Sequence, residues 1–437
     1  MTTESNLRDL WHAALAERDV LAADLANLKD LIGQKFGAFL SNPATLRELF
    51  AGLRAVMPVV VVPEFAVVTK YADVLEVLKD DLDFGVTEIY AAKMAATSGA
   101  FFLGMENTPQ YQRESSIARQ AVRPADLDRI RALVSSTADE MIRAAAPAGR
   151  LDAVGGFSRL VAARVVSDYF GVPGPNLPTQ LRWMRTIFWE IFIDFANSAP
   201  VRNAAATSSR EMAAYLTQLI AQRRSEIAAG RASGDDVLTR LVRMQGDPAA
   251  RLDDDGIRRN IGGIVVGAVD TTSKAVANAL DQLLDRPDAL AGAQQAARAG
   301  DDALFSAYVF EALRFNPQNP FLLRHCRNAH VVGKGTSSEK QIPAGVTVGA
   351  ATLSAMFDSA VVESPGEFRT GRPPGNYLHF GAGLHTCFGE HINRVQIPTM
   401  MKSLLRLKNL RRAPGPDGQM VSEGPFPNRL ILLFDPD

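Results

Sequence analysis

Cysteine is scarce in this chain: Cys326 and Cys387 are the whole supply among 437 residues. Two thiols make at most one disulfide, far from the cysteine-dense pattern of small secreted scaffolds, and the count suits a reducing compartment. Net charge is missing too. Lysine plus arginine (47) nearly balances aspartate plus glutamate (48), leaving a formal charge of -1. That balance gives no electrostatic footprint for nucleic acid or a membrane surface, so a small or uncharged ligand is expected. Long apolar runs are absent: the longest purely aliphatic stretch, "VVVVP" at 59 to 63, is far too short to span a bilayer. The opening "MTTESNLRDLW" has no basic region followed by an apolar segment, so no signal peptide is expected and the chain reads as cytoplasmic. Neither a fixed-period repeat nor a low-complexity linker divides the sequence, which favours one large domain over several.

What is present is mostly helical text. Residues 5 to 56 carry Leu7, Leu10, Trp11, Leu15, Leu21, Leu25, Leu28 and Leu31 at spacings of three and four, which predicts an amphipathic helical lead-in. "MPVVVVPEFAVVTK" has β-branched residues in short runs broken by proline, which predicts strands at the edge of a small sheet. "ADVLEVLKDD" then reads as helix, and from about 125 to 310 the chain is mainly helical, punctuated at "GVPGPN" and "QGDPAARLDDDG". A second β-rich stretch covers 330 to 354. The fold class expected is mainly α with a minor β part.

The chemistry concentrates in "YLHFGAGLHTCFGEHINR", residues 377 to 394, where Gly381, Gly383 and Gly389 surround Cys387. Glycine is what a loop needs when its backbone must turn sharply or approach a flat partner closely. Structural zinc would require four ligands at recognisable spacings, which one cysteine, His385 and a distant Cys326 do not give. A nucleophilic cysteine with His385 as base is hindered by their two-residue separation. On these residues alone a structural and a functional thiol both stay open.

Phe380, Gly381, Gly383, His385, Cys387 and Gly389 resemble, position for position, the haem-binding loop of the cytochrome P450 family, F-x-x-G-x-[HR]-x-C-x-G with an extra glycine. The resemblance implies that Cys387 is the axial thiolate on haem iron, that Phe380 shields the sulfur and that His385 hydrogen-bonds a propionate. It implies a single large P450 domain over 51–437 behind a helical extension at 1–50, with haem b between a long distal helix and the cysteine loop. A thiolate ligand pushes electron density toward O–O cleavage, so the ligand type carries a reaction class.

Other motifs bear on the same resemblance. In "YVFEALRFNP", Glu311 and Arg314 stand three apart on a helix; alone they would be a surface pair worth about 0.2 to 0.5 kcal/mol. The family has E-x-x-R here, joined by an arginine further on, so Glu311, Arg314 and Arg372 (after Phe368) resemble its buried structural charge triad. "NIGGIVVGAVDTTSKAVANALDQLL" predicts a helix from near "DDDG" to just before Pro287, despite Gly262, Gly263 and Gly267 inside it. Gly267, Ala268, Asp270 and Thr271 resemble the oxygen-activating motif [AG]-G-x-[DE]-T, with alanine in place of the second glycine. Thr271 is expected to bond back to the Gly267 carbonyl and loosen the helix. Its hydroxyl would steady bound dioxygen while Asp270 relays protons. Arg324 matches the arginine directed at a haem propionate. Cys326 has no assigned role and reads as a structural thiol. A histidine and arginine that the family often places around "TPQYQRESSIARQ" are replaced by Tyr111 and Ser115, leaving Tyr111, Arg113 or Arg119 as substitutes.

The implied reaction inserts one atom of O2 into a substrate while two external electrons reduce the other to water. Two cysteines cannot hold a four-thiolate cluster and no G-x-G-x-x-G fingerprint is present, so a separate ferredoxin and reductase are expected, meeting Arg394 and Lys402. "IFWEIFIDFANSAP", with Phe188, Trp189, Ile191, Phe192 and Phe195, and "SGAFFLGM" at 98 to 105 suggest a lipophilic substrate. The alternatives are a peroxide-using or hydroperoxide-rearranging enzyme of the same fold, and a non-catalytic haem carrier or sensor.

Overall fold

The computed structural model describes residues 42–231 and 234–436. The apolar stripe from Leu7 to Leu31 and most of the expected extension lie outside them. The first described helix, Pro43–Val56, starts on an Asn42 cap whose side chain accepts from the amides of Ala44 and Thr45 at 3.1 Å, with proline at its first position. It runs across the expected boundary at residue 50.

The chain divides into two compact units, each assembled from separated stretches. Among the described residues one comprises 42–85 and 314–386. Its five-stranded sheet has the order Val59–Val62, Phe65–Val68, Thr347–Ala350, Leu322–Cys326, Phe84–Gly85. The proline-flanked run "VVVV" does take an edge, paired antiparallel with Phe65–Val68, where Pro58 and Pro63 cost no ladder bonds. Val68, Val74, Val77, Cys326, Val348 and Leu353 are fully or nearly fully buried in the core beside this sheet.

The other unit comprises the described residues of 86–313 and 387–436 and is mainly helical. Three strands, Arg150–Asp152, Ile431–Asp435 and Lys408–Arg412, form a small antiparallel sheet with Ile431–Asp435 in the centre. Val421–Glu423 and Phe426–Arg429 make a hairpin. The stretch from "DDDG" to Pro287 starts at Asp254, capped by Asp253, and ends at Leu284 as expected, but it is two helices, Asp254–Val266 and Val269–Leu284, interrupted at Gly267 and Ala268. Around the interruption Gly267 N and Ala268 N bond three residues back, to Ile264 O and Val265 O. Among the described residues no helix is long and apolar enough to cross a membrane.

Candidate active site

The interruption is built by side-chain chemistry. The Thr271 hydroxyl donates to the carbonyl of Gly267, the bond expected from the sequence, and so competes with the helix ladder for that carbonyl. From residue 260 to 280 only Gly267, Ala268 and Thr271 keep appreciable accessible surface. They stand at i, i+1 and i+4, so the helix is open along one narrow, small-residue face.

Asp270 points elsewhere. Its carboxylate is 6% exposed, with Oδ1 3.6 Å from Arg159 Nε and 3.5 Å from Arg185 Nη2. Burial pushes its carboxyl above the ordinary carboxylate value, while Arg185 and Arg159 pull the other way. Both arginines escaped the sequence reading, because they lie on other helices, far away in the chain and without a motif.

Cys387 and Gly389 belong to the same unit. Cys387 keeps accessible surface at its side chain, yet the protein packed around the sulfur pushes the thiol up to about 11, against a lowering hydrogen bond from the Gly389 backbone. One thiol with a backbone N–H on its sulfur, and among the described residues no cluster of metal-ligating side chains around it, suits a single thiolate ligand to a metal whose other ligands are not protein. The residues present therefore fit a haem.

Behind Gly389 the Glu390–Leu405 helix begins, and Asn393 and Gln396 on its buried side reach the helix that carries Thr271. Thr272 Oγ1 donates to Asn393 Oδ1 at 3.1 Å, and Gln396 Nε2 donates to the same oxygen at 2.7 Å and to Thr272 Oγ1 at 3.2 Å. Asn393 N in turn bonds Gly389 O at 2.8 Å. A chain of polar contacts thus ties the cysteine side of this unit to the residue beside Thr271. A pair of amides three apart on a buried helix face was the signal for it.

The remaining loop residues lie in the first unit. Gly381 and Gly383 have left-handed backbones, φ +74° and +78°. A Cβ on Gly383 would stand 2.3 Å from the carbonyl oxygen of Leu78. Phe380 and His385 are half-buried. Arg324 is buried and donates to Leu323 O at 2.8 Å. Arg314, fully buried between the rings of Phe315 and Phe357, donates to the carbonyls of Met356 (3.1 Å), Pro365 (2.8 Å) and Glu367 (3.0 Å). Arg372 donates to that same Glu367 carbonyl at 2.8 Å and to Ser364 O at 2.9 Å. Glu311 is fully buried.

Of the two residues standing in the family's histidine and arginine places, Tyr111 is buried against Phe102 and Ser115 turns back to Gln112 O at 3.4 Å. Arg119 lies 5.8 Å from the ring of Phe388, the neighbour of Cys387. Arg394 and Lys402, expected to face an electron donor, hold ion pairs within the chain, to Glu390 at 2.8 Å and to Asp302. The aromatic stretch forms a cluster: Phe188 meets Phe192 at 4.8 Å and Phe426 at 5.6 Å, Tyr90 meets Phe192 at 5.3 Å, and Trp189 meets Phe426 at 5.9 Å. Phe195, expected with them, is 47% exposed.

A family model described as Cytochrome P450 matches residues 60–432. The chain is 27% identical over 365 residues to Cytochrome P450 107B1 of Saccharopolyspora erythraea, covering 80% of this chain and 84% of that protein. It is 29% identical over 304 residues to Cytochrome P450 monooxygenase PikC of Streptomyces venezuelae, covering 69% and 66%. The crystal structure of CalO2 superposes with a TM-score of 0.78 at 23% identity, over 91% of this chain and 97% of that one, a likeness of fold.

Proposed function

The chain belongs to the cytochrome P450 family, as a monooxygenase-family enzyme whose cofactor is haem, and from this premise we propose that it inserts one atom of O2 into a lipophilic small molecule by hydroxylation or epoxidation. Haem, when bound, supplies the redox chemistry that activates dioxygen. Cys387 would hold its iron, with the Gly389 N–H on the sulfur tuning the ligand. Arg324, His385 and Arg119 would serve the propionates, Phe380 would cover the sulfur, Gly267 and Ala268 would admit the flat ring, and Gly381 and Gly383 would give the loop the left-handed turns that shape it.

The observation that carries the reading is the pairing of Thr271 and Asp270 at a helix interruption. The Thr271 hydroxyl, already directed at the Gly267 carbonyl, would offer a polar group to dioxygen on this open face of the helix. Asp270, buried beside two guanidiniums, passes a proton inward and regains one from solvent. This acid-alcohol pair favours oxygen use over peroxide use or simple carriage. The aromatic cluster of Tyr90, Phe188, Trp189, Phe192 and Phe426 supports an apolar substrate. Electrons come from a separate donor of the ferredoxin type, which would compete with Glu390 and Asp302 for Arg394 and Lys402.

The test is spectroscopic and then chemical. The reduced, carbon-monoxide-bound protein is expected to show a Soret band shifted far to the red, lost in Cys387→His; an unshifted band in the parent refutes thiolate ligation. Product formation with ferredoxin, reductase and a nicotinamide, exceeding that with hydrogen peroxide alone, separates monooxygenation from peroxide use.

A further inference from the structure

Arg185 is shared. Its Nη2 lies 3.5 Å from Asp270 Oδ1, while its Nη1 donates to Glu423 Oε2 at 3.0 Å. Glu423 is an exposed carboxylate at the end of the Val421–Glu423 strand. Arg159 is drawn the same way, with Nη2 3.3 Å from Pro427 O and 3.3 Å from Asn428 Oδ1 on the following strand. The two atoms nearest the buried carboxylate, Arg159 Nε and Arg185 Nη2, are themselves buried and make no hydrogen bond. Separations of 3.5 and 3.6 Å exceed an N–H···O bond, so each guanidinium stabilises Asp270 by charge and neither closes on it. The other charged groups here are Asp152, which acts on Arg159, and Lys274, one turn after Asp270 and 5.7 Å from the Phe426 ring.

We propose that Glu423 is a positioning residue for proton delivery: by holding Arg185 on the hairpin, it keeps that guanidinium from forming a closed ion pair with Asp270. This rests on the reading of Asp270 as the proton carrier. A carboxylate locked in a bidentate arginine pair is a poor proton shuttle, because its ionised form is over-stabilised. Here the Asp270 carboxyl gives up its proton and regains one from water on the solvent side, while both guanidiniums keep theirs throughout. Because the anchoring carboxylate sits on a hairpin whose Phe426 packs on Phe188 and Trp189, movement of that aromatic cluster reaches the acid through Arg185.

Removing the Glu423 charge acts twice in one direction: it leaves Arg185 held to the hairpin only by the longer 3.4 Å contact of Nη1 with Asn428 Oδ1, so that it can close on Asp270, and it deletes a nearby anion that favours the protonated acid. In the haem-loaded resting protein, the infrared C=O band of protonated Asp270, identified by its loss in Asp270→Asn, is expected to titrate about one pH unit lower in Glu423→Gln. Arg159→Gln should move the same band upward. With an electron donor and a turned-over ligand, Glu423→Gln should raise the solvent isotope effect and the peroxide released per nicotinamide. The ligand-induced spin-state shift should stay unchanged, and Glu423→Asp should restore the parent values. An unchanged band midpoint and isotope effect in a folded Glu423→Gln protein overturn the proposal. If Asp270→Asn also leaves the isotope effect and pH profile unaltered, the reading of Asp270 fails instead, so the two failures are distinguishable.

Discussion

Glycine carries two different burdens on either side of the cysteine. Gly383 is fixed by backbone on both counts, a φ of +78° and a Cβ position 2.3 Å from Leu78 O and 3.0 Å from Lys79 Cα. Neither neighbour is a flexible side chain that can swing away. Gly383→Ala is therefore expected to cost roughly 2–4 kcal/mol, from the left-handed penalty plus overpacking, read as a lowered denaturation midpoint in urea. Gly389 has an ordinary φ of -83°, and its Cβ would meet only Asn393 Nδ2 at 3.3 Å and the Cys387 sulfur at 3.9 Å, so alanine there should be far milder. At Thr271, alanine removes the hydroxyl on the Gly267 carbonyl, and the expected outcome is peroxide release in place of product, with serine restoring coupling. These residues were legible because each has a side chain, or lacks one, at a fixed spacing. The partners of Arg314 were not, since Met356 O, Pro365 O and Glu367 O are backbone carbonyls that any sequence would supply. Arg159 and Arg185 were hidden for a related reason: tertiary packing alone brings them to Asp270.

At the scale of elements, hydrophobic pattern and punctuation located most of what forms. The proline-bounded valines are an edge strand, and the stretch ending before Pro287 is helical at both its expected limits. Period alone does not reveal that the stretch is broken; the glycine and the threonine four residues later do, through a hydrogen bond that competes with the ladder. The bridge between Val269–Leu284 and Glu390–Leu405 gives a separate prediction. Asn393→Ala deprives buried Thr272 and Gln396 of their shared oxygen acceptor, at about 1–3 kcal/mol. A thermal melt should show the loss, whereas Arg394→Ala, one residue on and exposed, should leave stability within about 0.5 kcal/mol.

Across the whole molecule, near-zero net charge conceals local sites that set its pH range. His330 bonds Asp83 Oδ2 at 2.7 Å and Glu76 Oε1 at 2.9 Å; burial opposes its charged form, but these partners outweigh it and raise the imidazole above its ordinary 6.5. A raised folded value means the contribution is complete below about 6.5 and disappears as pH climbs through the higher folded value. Asp83, through Asn328 and His330, and Asp235, held down to about 2 by Arg240, work in the opposite sense: present above the ordinary 3.8, lost as pH falls. The melting temperature should thus decline toward both extremes, and His330→Asn should flatten the alkaline limb. Composition gave no warning of the division into two units, because no linker marks it and each unit is threaded from distant stretches. That threading has a bearing on biosynthesis. Strand Arg150–Asp152 must wait for Ile431–Asp435, and Phe65–Val68 must wait for Thr347–Ala350, each made far later in the chain. Each unit stays incomplete until its distant second stretch has been made, so the nascent chain holds open strand edges through much of its synthesis, and chaperone supply should limit its yield in a host.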